Sequence, residues 1–427
     1  MKVAIIGGGY IGTVIAGVLS RKDIEVTVVE KNQTRLNKLK SGESPINEPG
    51  LDLLIKAGHN NNKIRAVEEI NDFKDPDVII VTVGTPMNLV GEVDISDLEE
   101  VFLEISNQVK KKTLIMLKST VEPGTTLYLF NKFLNDSIHY LSFSPERLSE
   151  GTAIHEFENL PIIVGGVNKN STTKTIKFWS DLNFKTIEVS SCTVAEMVKL
   201  SDNAWIDLNI AFAHEIAKVC DKLEIDVLEV IGAANTLKKG SSNVNILVPS
   251  IGVGGYCLTK DPIFLSNFAK SFGIDLGLTN LARKINDGSP EYLLNKLLPK
   301  INIKYSKILI EGIAYKNNTG DIRFSPVITL FNLLYKKGYS INWHDTFAEE
   351  CTDPALNSAK LTSIIYDNIW DVIVVGAVHD KNEYVNVYNI QKLLRPGGII
   401  VDGRKFYTQK EINIFFAAGF EYIGVGR

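Results

Sequence analysis

KVAIIGGGYIG, residues 2–12, joins a short apolar run to a turn that contains four glycines. Gly7, Gly9 and Gly12 have the spacing GxGxxG, and an apolar stretch typical of a helix follows from Ile11 to Leu19. Glycines at these places permit a tight turn, close approach of a pyrophosphate to the backbone, and close packing of helix on strand. The pattern predicts a strand, a turn and a helix that binds phosphates at its N-terminus, although glycines that serve packing alone would look the same.

The next strand-like run, residues 25–29, is closed by Glu30. A carboxylate there accepts hydrogen bonds from the adenosine ribose hydroxyls and repels a 2′-phosphate, which favours NAD over NADP. FAD uses the same glycine turn, but flavoproteins of that type usually carry a second adenine-dinucleotide motif, and we do not find one in the sequence. We therefore predict NAD as the cofactor.

Short apolar runs alternate with amphipathic stretches on both sides of a long central helix. The first part contains strand-like runs at residues 3–6, 25–29, 77–83, 113–118 and 140–143. Further runs of the same kind lie at residues 307–311, 340–344, 371–376 and 398–401. Such alternation predicts parallel sheets covered by helices, and the second group has no glycine turn, so a nucleotide there would be held differently.

A single long helix is predicted over residues 193–220, where no proline or glycine interrupts the helical recurrence of apolar residues. Its wide apolar arc leads us to expect contacts with both flanking domains and with a second subunit. We predict an α/β protein with a Rossmann-like parallel-sheet domain at residues 1–190. A central long-helix region at 191–300 and a smaller Rossmann-like α/β domain at 301–427 follow it.

Composition narrows the function. The 427 residues are 44% hydrophobic and 22% charged, as in ordinary globular proteins, and the formal net charge of −4 argues against nucleic acid or an anionic membrane as partner. No signal peptide or membrane-spanning run is visible, so we expect a cytoplasmic protein. The four cysteines, Cys192, Cys220, Cys257 and Cys351, form no CxxC pair, which argues against disulfides and against a metal site.

Several loops after predicted strands carry polar residues. Gly84-Thr85-Pro86 and Ser119-Thr120-Val121 lie at the carboxyl edge, where ligands sit in such sheets. They could line the nicotinamide half of the cofactor, and they could equally be plain turns. The segment from Ser144 to Gly151 adds Glu146 and Glu150 after another strand. One of these carboxylates could serve as a base toward water, or both could belong to a charged loop.

A second candidate site is GVGGYCLTKD, residues 252–261. Three glycines before Cys257 let the backbone approach a ligand, and Lys260 lies near enough to favour the thiolate, the attacking form. A free cysteine is more often a small buried hydrophobe, so the residues alone leave both interpretations open. On the long helix, Lys199 and Asn203 are four residues apart and share a face, as donors to an oxyanion would. Most such side chains are simply solvated.

These motifs, in this order, resemble the UDP-glucose/GDP-mannose dehydrogenase family. The pieces are GGGYIG, the GTP at residues 84–86, STVEPGTT from Ser119, SPERLSEG from Ser144, the helix face at 196–203, GVGGYCLTKD, and GIAYKNNTGDIRFSP from Gly312. The resemblance implies an NAD domain, a central helix that forms a homodimer or a higher homo-oligomer, and a C-terminal domain for a UDP-sugar. It implies a four-electron oxidation of the sugar C6 alcohol through a thiohemiacetal and a thioester, which supplies a surface-polysaccharide precursor.

The resemblance also implies residue roles. Cys257 would be the nucleophile, Lys199 and Asn203 would hold the oxyanion, Asp261 would order water or Lys199, and Glu146 and Thr120 would assist proton transfer and hydrolysis. Implied cofactor contacts are Gly7, Gly9, Tyr10, Ile11, Gly12, Glu30, Arg35, Gly84, Thr85, Pro86, Ser119, Thr120, Glu150, Lys260 and Arg323. Implied substrate contacts are Glu146, Arg147, Leu148, Lys199, Asn203, Asn245, Gly252, Gly254, Gly255, Tyr315, Lys316 and Arg404.

The choice of sugar depends on a few positions. Arg147 replaces the phenylalanine common in the UDP-glucose branch, and together with the run at residues 244–255 it resembles the UDP-N-acetylhexosamine branch. We favour UDP-N-acetylmannosamine, then UDP-N-acetylglucosamine. A UDP-glucose 6-dehydrogenase is the alternative, and a non-catalytic dinucleotide-binding protein is the alternative from another class. Two features depart from the UDP-N-acetylhexosamine branch. Asn243 stands where that branch often has an arginine, and Lys238 or Lys239 could replace the phosphate contact of this arginine. Thr259 stands where that branch has a proline, as in the UDP-glucose form.

Overall fold

The computed structural model describes residues 1–73, 75–88, 93–240, 242–348, 353–364, 366–367, 369–380 and 382–427. These residues divide into two compact units, Met1–Asp202 with Asn267–Ile274, and Asn203–Ser266 with Asp275–Arg427. The long helix α8, Cys192–Leu223, passes from the first unit into the second. The predicted division at residues 190 and 300 stays a prediction.

The first unit is a sheet with helices on both faces. Its strands are β1 Lys2–Ile6, β2 Glu25–Val29, β3 Ile64–Val67, β4 Val78–Val81, β5 Thr113–Leu117, β6 His139–Phe143, β7 Ile162–Gly166 and β8 Thr186–Glu188. Its helices are α1 Tyr10–Arg21, α2 Gln33–Lys40, α3 Leu51–Asn60, α4 Ser96–Gln108, α5 Thr125–Phe133, α6 Ala153–Asn159 and α7 Lys169–Asp181. Next comes α8, Cys192–Leu223.

The strand order in the first unit is β3-β2-β1-β4-β5-β6-β7-β8. Strand β1 shows how the sheet is buried: Val3 and Ile5 pack into one apolar core, and Ala4 and Ile6 pack into the other. Because successive side chains of a strand point to opposite faces, a run without polar residues means that both faces are covered. The chain order reverses between β1 and β4, so the crevice at their carboxyl ends is the expected ligand site.

One strand pair departs from the predicted parallel arrangement, since β7 runs antiparallel to β6. The chain therefore leaves β6 and enters β7 at the same edge of the sheet, and no crossover is needed. Residues 144–161 stay at the carboxyl edge for this reason. The segment with Glu146, Arg147 and Glu150 is thus kept on the side of the sheet where ligands bind.

The second unit begins within α8 and contains α9 Val227–Ala234, the hairpin β9 Lys238–Lys239 and β10 Ser242–Asn243, α10 Tyr256–Lys270, α11 Gly277–Asp287 and α12 Ser289–Leu297. Its sheet consists of β11 Lys307–Glu311, β12 Ser340–His344, β13 Trp370–Val375, β14 Leu394–Asp402 and β15 Glu421–Gly424. Helices α13 Pro326–Lys336, α14 Pro354–Ala359 and α15 Gln409–Ala417 complete it.

The sheet of the second unit has the order β12-β11-β13-β14-β15, and every neighbouring pair is parallel. Alternate residues of β11 again pack into two different cores, Ile308 and Ile310 on one face and Leu309 on the other. The reversal of chain order lies at β11, so the loops after β11, β12 and β13 meet at one edge. The predicted α/β class with two Rossmann-like sheets and a helical centre is confirmed.

Candidate active site

The glycine turn of the first unit leaves room for a ligand only where a dinucleotide needs it. Gly7 has a φ of +105°, and a Cβ on Gly12 would lie 1.9 Å from the carbonyl oxygen of Gly7, so both positions require glycine. A Cβ on Gly9, in contrast, would meet nothing within 4 Å. Gly9 is the N-cap of α1 and provides no side-chain cap, so no side chain at this position competes for the first N–H groups of α1. These residues fit the pyrophosphate of NAD.

Glu30 follows β2 at the place predicted for the ribose contact, and its side chain is only 6% exposed. Its carboxylate accepts hydrogen bonds from the backbone N–H of Asn32 at 2.7 Å and from Nε of Arg35 at 3.0 Å. Arg35 is half exposed. The buried carboxylate is therefore held in a fixed direction, with a cation beside it.

The predicted strand-end loops are tied to each other by their hydroxyl groups. Thr85 donates to the carbonyl of Thr120 at 2.6 Å, and Ser119 donates to the carbonyl of Val83 at 2.7 Å. Two hydrogen bonds thus hold the two loops together at the carboxyl ends of β4 and β5. That they line the nicotinamide stays a prediction, as do the cofactor contacts of Gly84 and Pro86.

Glu146 is buried at the start of the segment that follows β6. Its Oε2 forms an ion pair with Nζ of Lys118 at 3.2 Å, and its Oε1 accepts the N–H of Arg147 at 2.8 Å. Lys118 also donates to the carbonyl of Ser144 at 3.2 Å. Lys118 was not predicted as a site residue; its signal in the sequence is a lysine directly after the five buried residues of β5.

The neighbouring side chains of this segment face different surroundings. Nη2 of Arg147 donates to the carbonyl of Pro161 at 2.5 Å, and Nη1 lies 3.9 Å from Asp202. Leu148 packs against the core of the first unit. The guanidinium of Arg147 is therefore anchored by the chain that enters β7.

A second residue that was not predicted from the sequence is Glu48, whose carboxylate is buried at 5% exposure. It accepts hydrogen bonds from the hydroxyl of Tyr10 at 2.5 Å and from the N–H groups of Gly151 and Ala153 at 2.6 and 2.8 Å. Burial and the contact with Glu48 raise the pKa of Tyr10 above its ordinary value. Glu48 thus connects the glycine turn to the segment with Glu146 and Glu150. Nothing in its surroundings in the sequence indicates this role.

In the second unit, Cys257 is the second residue of α10 and is exposed, whereas Cys192 and Cys220 are buried. Burial raises the pKa of Cys192 to about 11 and that of Cys220 above its ordinary value, so these two thiols stay protonated at neutral pH. The N-terminus of a helix favours a thiolate. Cys351 lies outside the described residues.

The residues one turn after Cys257 form a compact charged group. Nζ of Lys260 lies 3.8 Å from Oδ1 of Asp261 and 4.5 Å from the centre of the Tyr256 ring. Arg323 lies over the same ring at 5.4 Å. The structure thus brings together Lys260 and Arg323, two predicted cofactor contacts from distant parts of the sequence.

Asp261 is fully buried and binds the long helix. Its Oδ2 accepts a hydrogen bond from the side-chain amide of Asn203 at 2.6 Å, while its Oδ1 has no hydrogen-bond partner among the described residues. Asn203 therefore has its amide group oriented by Asp261, which leaves the second N–H of that amide for another acceptor. Lys199, also buried, precedes Asn203 by four residues on α8.

The glycines before Cys257 pack against the loop that follows β11. A Cβ on Gly254 would lie 2.8 Å from Cβ of Tyr315, and a Cβ on Gly255 would lie 2.6 Å from the Tyr315 ring. Gly252 has a φ of +148°, and the N–H of Gly255 donates to the carbonyl of Arg323 at 3.1 Å. The glycines are needed for this close packing.

The loop after β11 also carries Lys316 and contacts Arg404. Arg404 donates to the carbonyls of Gly376 and Tyr315, both at 2.5 Å, and burial lowers its pKa to about 10, so it remains charged at neutral pH. Two predicted substrate contacts, Tyr315 and Arg404, therefore meet at the carboxyl edge of the second sheet.

The hairpin that contains Asn243 pairs this residue directly with Lys238, and pairs Ser242 with Lys239. Directly paired residues of an antiparallel ladder point to the same face. Lys238 is therefore the lysine on the face of Asn243. The backbone of Asn245, further along, is held by the amide of Asn209 at 2.6 Å, and the Asn245 side chain is exposed.

Two further features concern the described residues as a whole. No group of three or more His, Cys, Asp or Glu side chains within them is arranged to hold a metal ion. Within the same ranges, no helix combines the length and the apolar character needed to cross a membrane.

Comparison with known proteins gives one consistent family. Three domain models of the UDP-glucose/GDP-mannose dehydrogenase family match the chain. The model of the NAD binding domain matches residues 1–183, that of the central domain matches residues 193–288, and that of the UDP binding domain matches residues 309–409. The chain belongs to the UDP-glucose/GDP-mannose dehydrogenase family.

Individual relatives agree. A UDP-N-acetyl-D-mannosamine dehydrogenase of Pyrococcus horikoshii is 31% identical over 438 residues, which cover 100% of this chain and 99% of the relative. A protein of the same name from Methanococcus maripaludis is 34% identical over 402 residues, 92% of this chain and 89% of the relative. A solved structure described as a UDP-D-ManNAc dehydrogenase from Pyrococcus horikoshii has a TM-score of 0.85 at 29% identity, covering 100% and 99% of the two chains.

The chain is therefore an NAD-dependent nucleotide-sugar dehydrogenase, and its UDP-binding domain indicates a UDP-sugar as substrate. The predictions of the family, the enzyme class and the cofactor are confirmed.

Proposed function

We propose that the enzyme oxidises the C6 alcohol of a UDP-N-acetylhexosamine, UDP-N-acetyl-D-mannosamine first among them, to the uronate, with Cys257 as covalent nucleophile. The observation that carries the proposal is the exposed Cys257 at the N-terminus of α10, one turn from the buried Lys260. An alcohol reaches a carboxylate only by two oxidations. A thiol that holds the aldehyde between them prevents its escape.

Both oxidations and the hydrolysis can be written with the sulfur of Cys257 as the only covalent attachment point of the sugar. NAD, when bound, accepts a hydride in each oxidation, so two NADH form for each sugar. Between the oxidations, the sulfur of Cys257 adds to the C6 aldehyde, and the carbonyl oxygen becomes an oxyanion. After the second oxidation the carbon is a thioester, and water breaks the C–S bond to release the Cys257 thiolate and the sugar acid. The overall reaction consumes one water and releases three protons.

The oxyanion needs donors that are already in place. The second N–H of the Asn203 amide suits this role, because Asp261 accepts the first one and fixes the amide plane. Lys199 would supply the positive charge from the same helix. Asp261 would then act through Asn203. Its Oδ1 lies 3.8 Å from Nζ of Lys260 and has no hydrogen-bond partner among the described residues, so it is suited to order a water molecule.

Proton transfer is assigned to Glu146, assisted by Thr120. The carboxylate of Glu146 pairs with the ammonium of Lys118 at 3.2 Å, and a carboxylate held in a fixed position is suited to accept a proton from water. The N–H of Arg147 fixes the direction of the other oxygen. Lys118 is thus a positioning residue for Glu146.

The nucleotide part of the substrate is assigned to the second sheet. Tyr315, Lys316 and Arg404 lie on loops at its carboxyl edge, and Arg404 remains charged there. Two cations near a diphosphate provide strong, charge-assisted contacts. Lys238 is our candidate for the phosphate contact that the family arginine makes at the position of Asn243.

The N-acetylated sugar is supported by the names of the relatives at 31% and 34% identity and by Arg147 in place of phenylalanine. UDP-glucose is the second candidate, favoured by Thr259 after Cys257 and Leu258. We further infer that the enzyme is cytoplasmic and forms a homodimer or a higher homo-oligomer. Trp205, Phe212 and Val219, seven residues apart on α8, are 60%, 51% and 59% exposed, and a second subunit would cover them.

The test is side-by-side oxidation of UDP-N-acetylmannosamine, UDP-N-acetylglucosamine and UDP-glucose, with NADH followed by absorbance and the sugar product by mass spectrometry. We expect the highest kcat/KM with UDP-N-acetylmannosamine and two NADH per sugar acid. One NADH per sugar with release of the aldehyde would overturn the thioester route. A clear preference for UDP-glucose would overturn the assignment of the sugar and leave the route intact.

A further inference from the structure

A continuous chain of buried polar side chains connects the two ends of the cysteine loop, which we define as residues 250–258, the glycine run together with the first three residues of α10. Its members come from three helices, α8, α11 and α12, and each is at most 6% exposed: Asp207, His214, Arg283, Asn286 and Ser289. None of them belongs to the machinery described above. Their burial and mutual contacts therefore need a separate explanation.

The chain begins at the first residue of the loop. The N–H of Ser250 donates to Nε2 of His214 at 3.1 Å, so this nitrogen carries no proton. Nδ1 of His214 then donates, with Oδ1 of Asn286 at 3.1 Å and Oγ of Ser289 at 2.8 Å as acceptors. Burial lowers the pKa of His214 to about 4, which agrees with a neutral ring at neutral pH.

The chain continues from Asn286 to the other end of the loop. The side-chain amide of Asn286 donates to the carbonyl and to Oδ1 of Asp207 at 2.8 and 2.7 Å. Arg283 donates to both Asp207 and Asp287 and reaches the carbonyl of Leu258 with Nη1 at 3.3 Å. Leu258 directly follows Cys257. The two contacts with the loop are thus made to its backbone.

We propose that His214 and Arg283 are positioning residues, which hold the cysteine loop by its two ends and so fix Cys257 for attack on the substrate. The loop needs such support because Gly252, Gly254 and Gly255 give it little stiffness of its own. A buried ion pair such as Arg283 with Asp207 contributes little net stability compared with apolar residues. Exact placement of a nucleophile, in contrast, affects the rate strongly. The role in catalysis rests on the proposed function of Cys257.

The first test replaces Arg283 by lysine. Lysine keeps a positive charge opposite Asp207, but a single ammonium cannot also reach Asp287 and the carbonyl of Leu258. We expect Arg283→Lys to lower kcat roughly tenfold to hundredfold while KM for NAD stays within about twofold. The matched control is Arg395→Lys, because Arg395 pairs with Asp371 at the surface of the same unit. It should leave both constants unchanged.

The second test uses the other end of the loop and a rescue. His214→Phe removes the acceptor of the Ser250 N–H, and His214→Gln restores an amide oxygen for it. We expect kcat to fall in the first variant and to recover in the second. If either variant fails to fold, the comparison of Arg283→Lys with Arg395→Lys decides alone.

A readout independent of turnover is the rate at which iodoacetamide alkylates Cys257 in the full chain, measured by peptide mass spectrometry. A change of several-fold in Arg283→Lys with an unchanged melting temperature supports the positioning role. An unchanged rate together with unchanged kcat overturns it. If Cys257→Ser is fully active, the proposed function fails, but the alkylation rate still tests whether Arg283 holds the loop.

Discussion

Lowering the pH from 7 to 5 should destabilise this protein through one buried histidine, His214, which is only 2% exposed. Burial lowers its pKa from the ordinary 6.5 to about 4. Between these values the unfolded chain binds a proton at this histidine and the folded chain does not, so acid favours unfolding. The stabilisation is fully present above pH 6.5 and is lost as the pH falls toward 4. The loss in free energy of unfolding is about 2 kcal/mol at pH 5 and about 3 kcal/mol at pH 4.

The assay is urea unfolding at several pH values, followed by fluorescence, for the wild type and for His214→Gln. Glutamine can keep the hydrogen bonds to Ser250 and Asn286 and does not titrate. We expect the free energy of unfolding of the wild type, relative to that of His214→Gln, to fall by about 2 kcal/mol from pH 7 to pH 5. His155→Gln is the control, because His155 is exposed and the same substitution there removes no buried side chain. If the difference in free energy of unfolding between the wild type and His214→Gln is the same at pH 7 and pH 5, this reasoning is refuted.

Three further predictions concern the active site. Cys257→Ser should abolish release of the sugar acid, since an ester is hydrolysed more slowly than a thioester. An adduct of the sugar with the enzyme should then be visible in the intact mass, whereas turnover near the wild-type level would contradict the covalent route. Cys192→Ser and Cys220→Ser should change stability alone, by about 1 to 3 kcal/mol. The wild type should use NAD far better than NADP, and Glu30→Gln should narrow the ratio of the two kcat/KM values, because the buried carboxylate no longer repels a 2′-phosphate; an unchanged ratio would remove Glu30 from cofactor selection. Lys118→Met should leave Glu146 as a buried charge without its ion pair, at a cost of roughly 3 kcal/mol in unfolding free energy and a loss in kcat, with Lys111→Met, at the surface, as the control.

The parts of the fold that the sequence predicts are those set by local patterns. The glycine turn at residues 7–12, the long helix and the buried strands follow from spacing and apolar runs within a few residues. Strands β3, β8 and β15 were missed, because each has at most four residues and contains a charged one. Strand β7 was also missed, although its five residues are all buried and none is polar. The antiparallel direction of β7 depends on a connection that no local pattern specifies.

The candidate site shows the same limit at the level of side chains. Cys257 could be found from the glycines before it, yet the residues left open whether it is buried, and only the fold exposes it and buries Cys192 and Cys220. The partner of Glu146 is 28 residues away and that of Glu48 is 38 residues away. Such pairs arise from the order of strands in the sheet. A single sequence does not contain that information in readable form.

The glycine turn also has a consequence for how the chain tolerates mutation. A side chain at Gly12 would collide with the backbone of Gly7, whereas one at Gly9 would enter empty space. Gly9 also has an ordinary φ of −75°. Alanine at Gly12 should therefore reduce the amount of folded protein in a cell, while alanine at Gly9 should leave abundance intact and occlude the dinucleotide. In a selection that measures protein abundance and enzyme activity separately, alanine at Gly12 would therefore lower both values. Alanine at Gly9, three positions earlier, would lower activity alone.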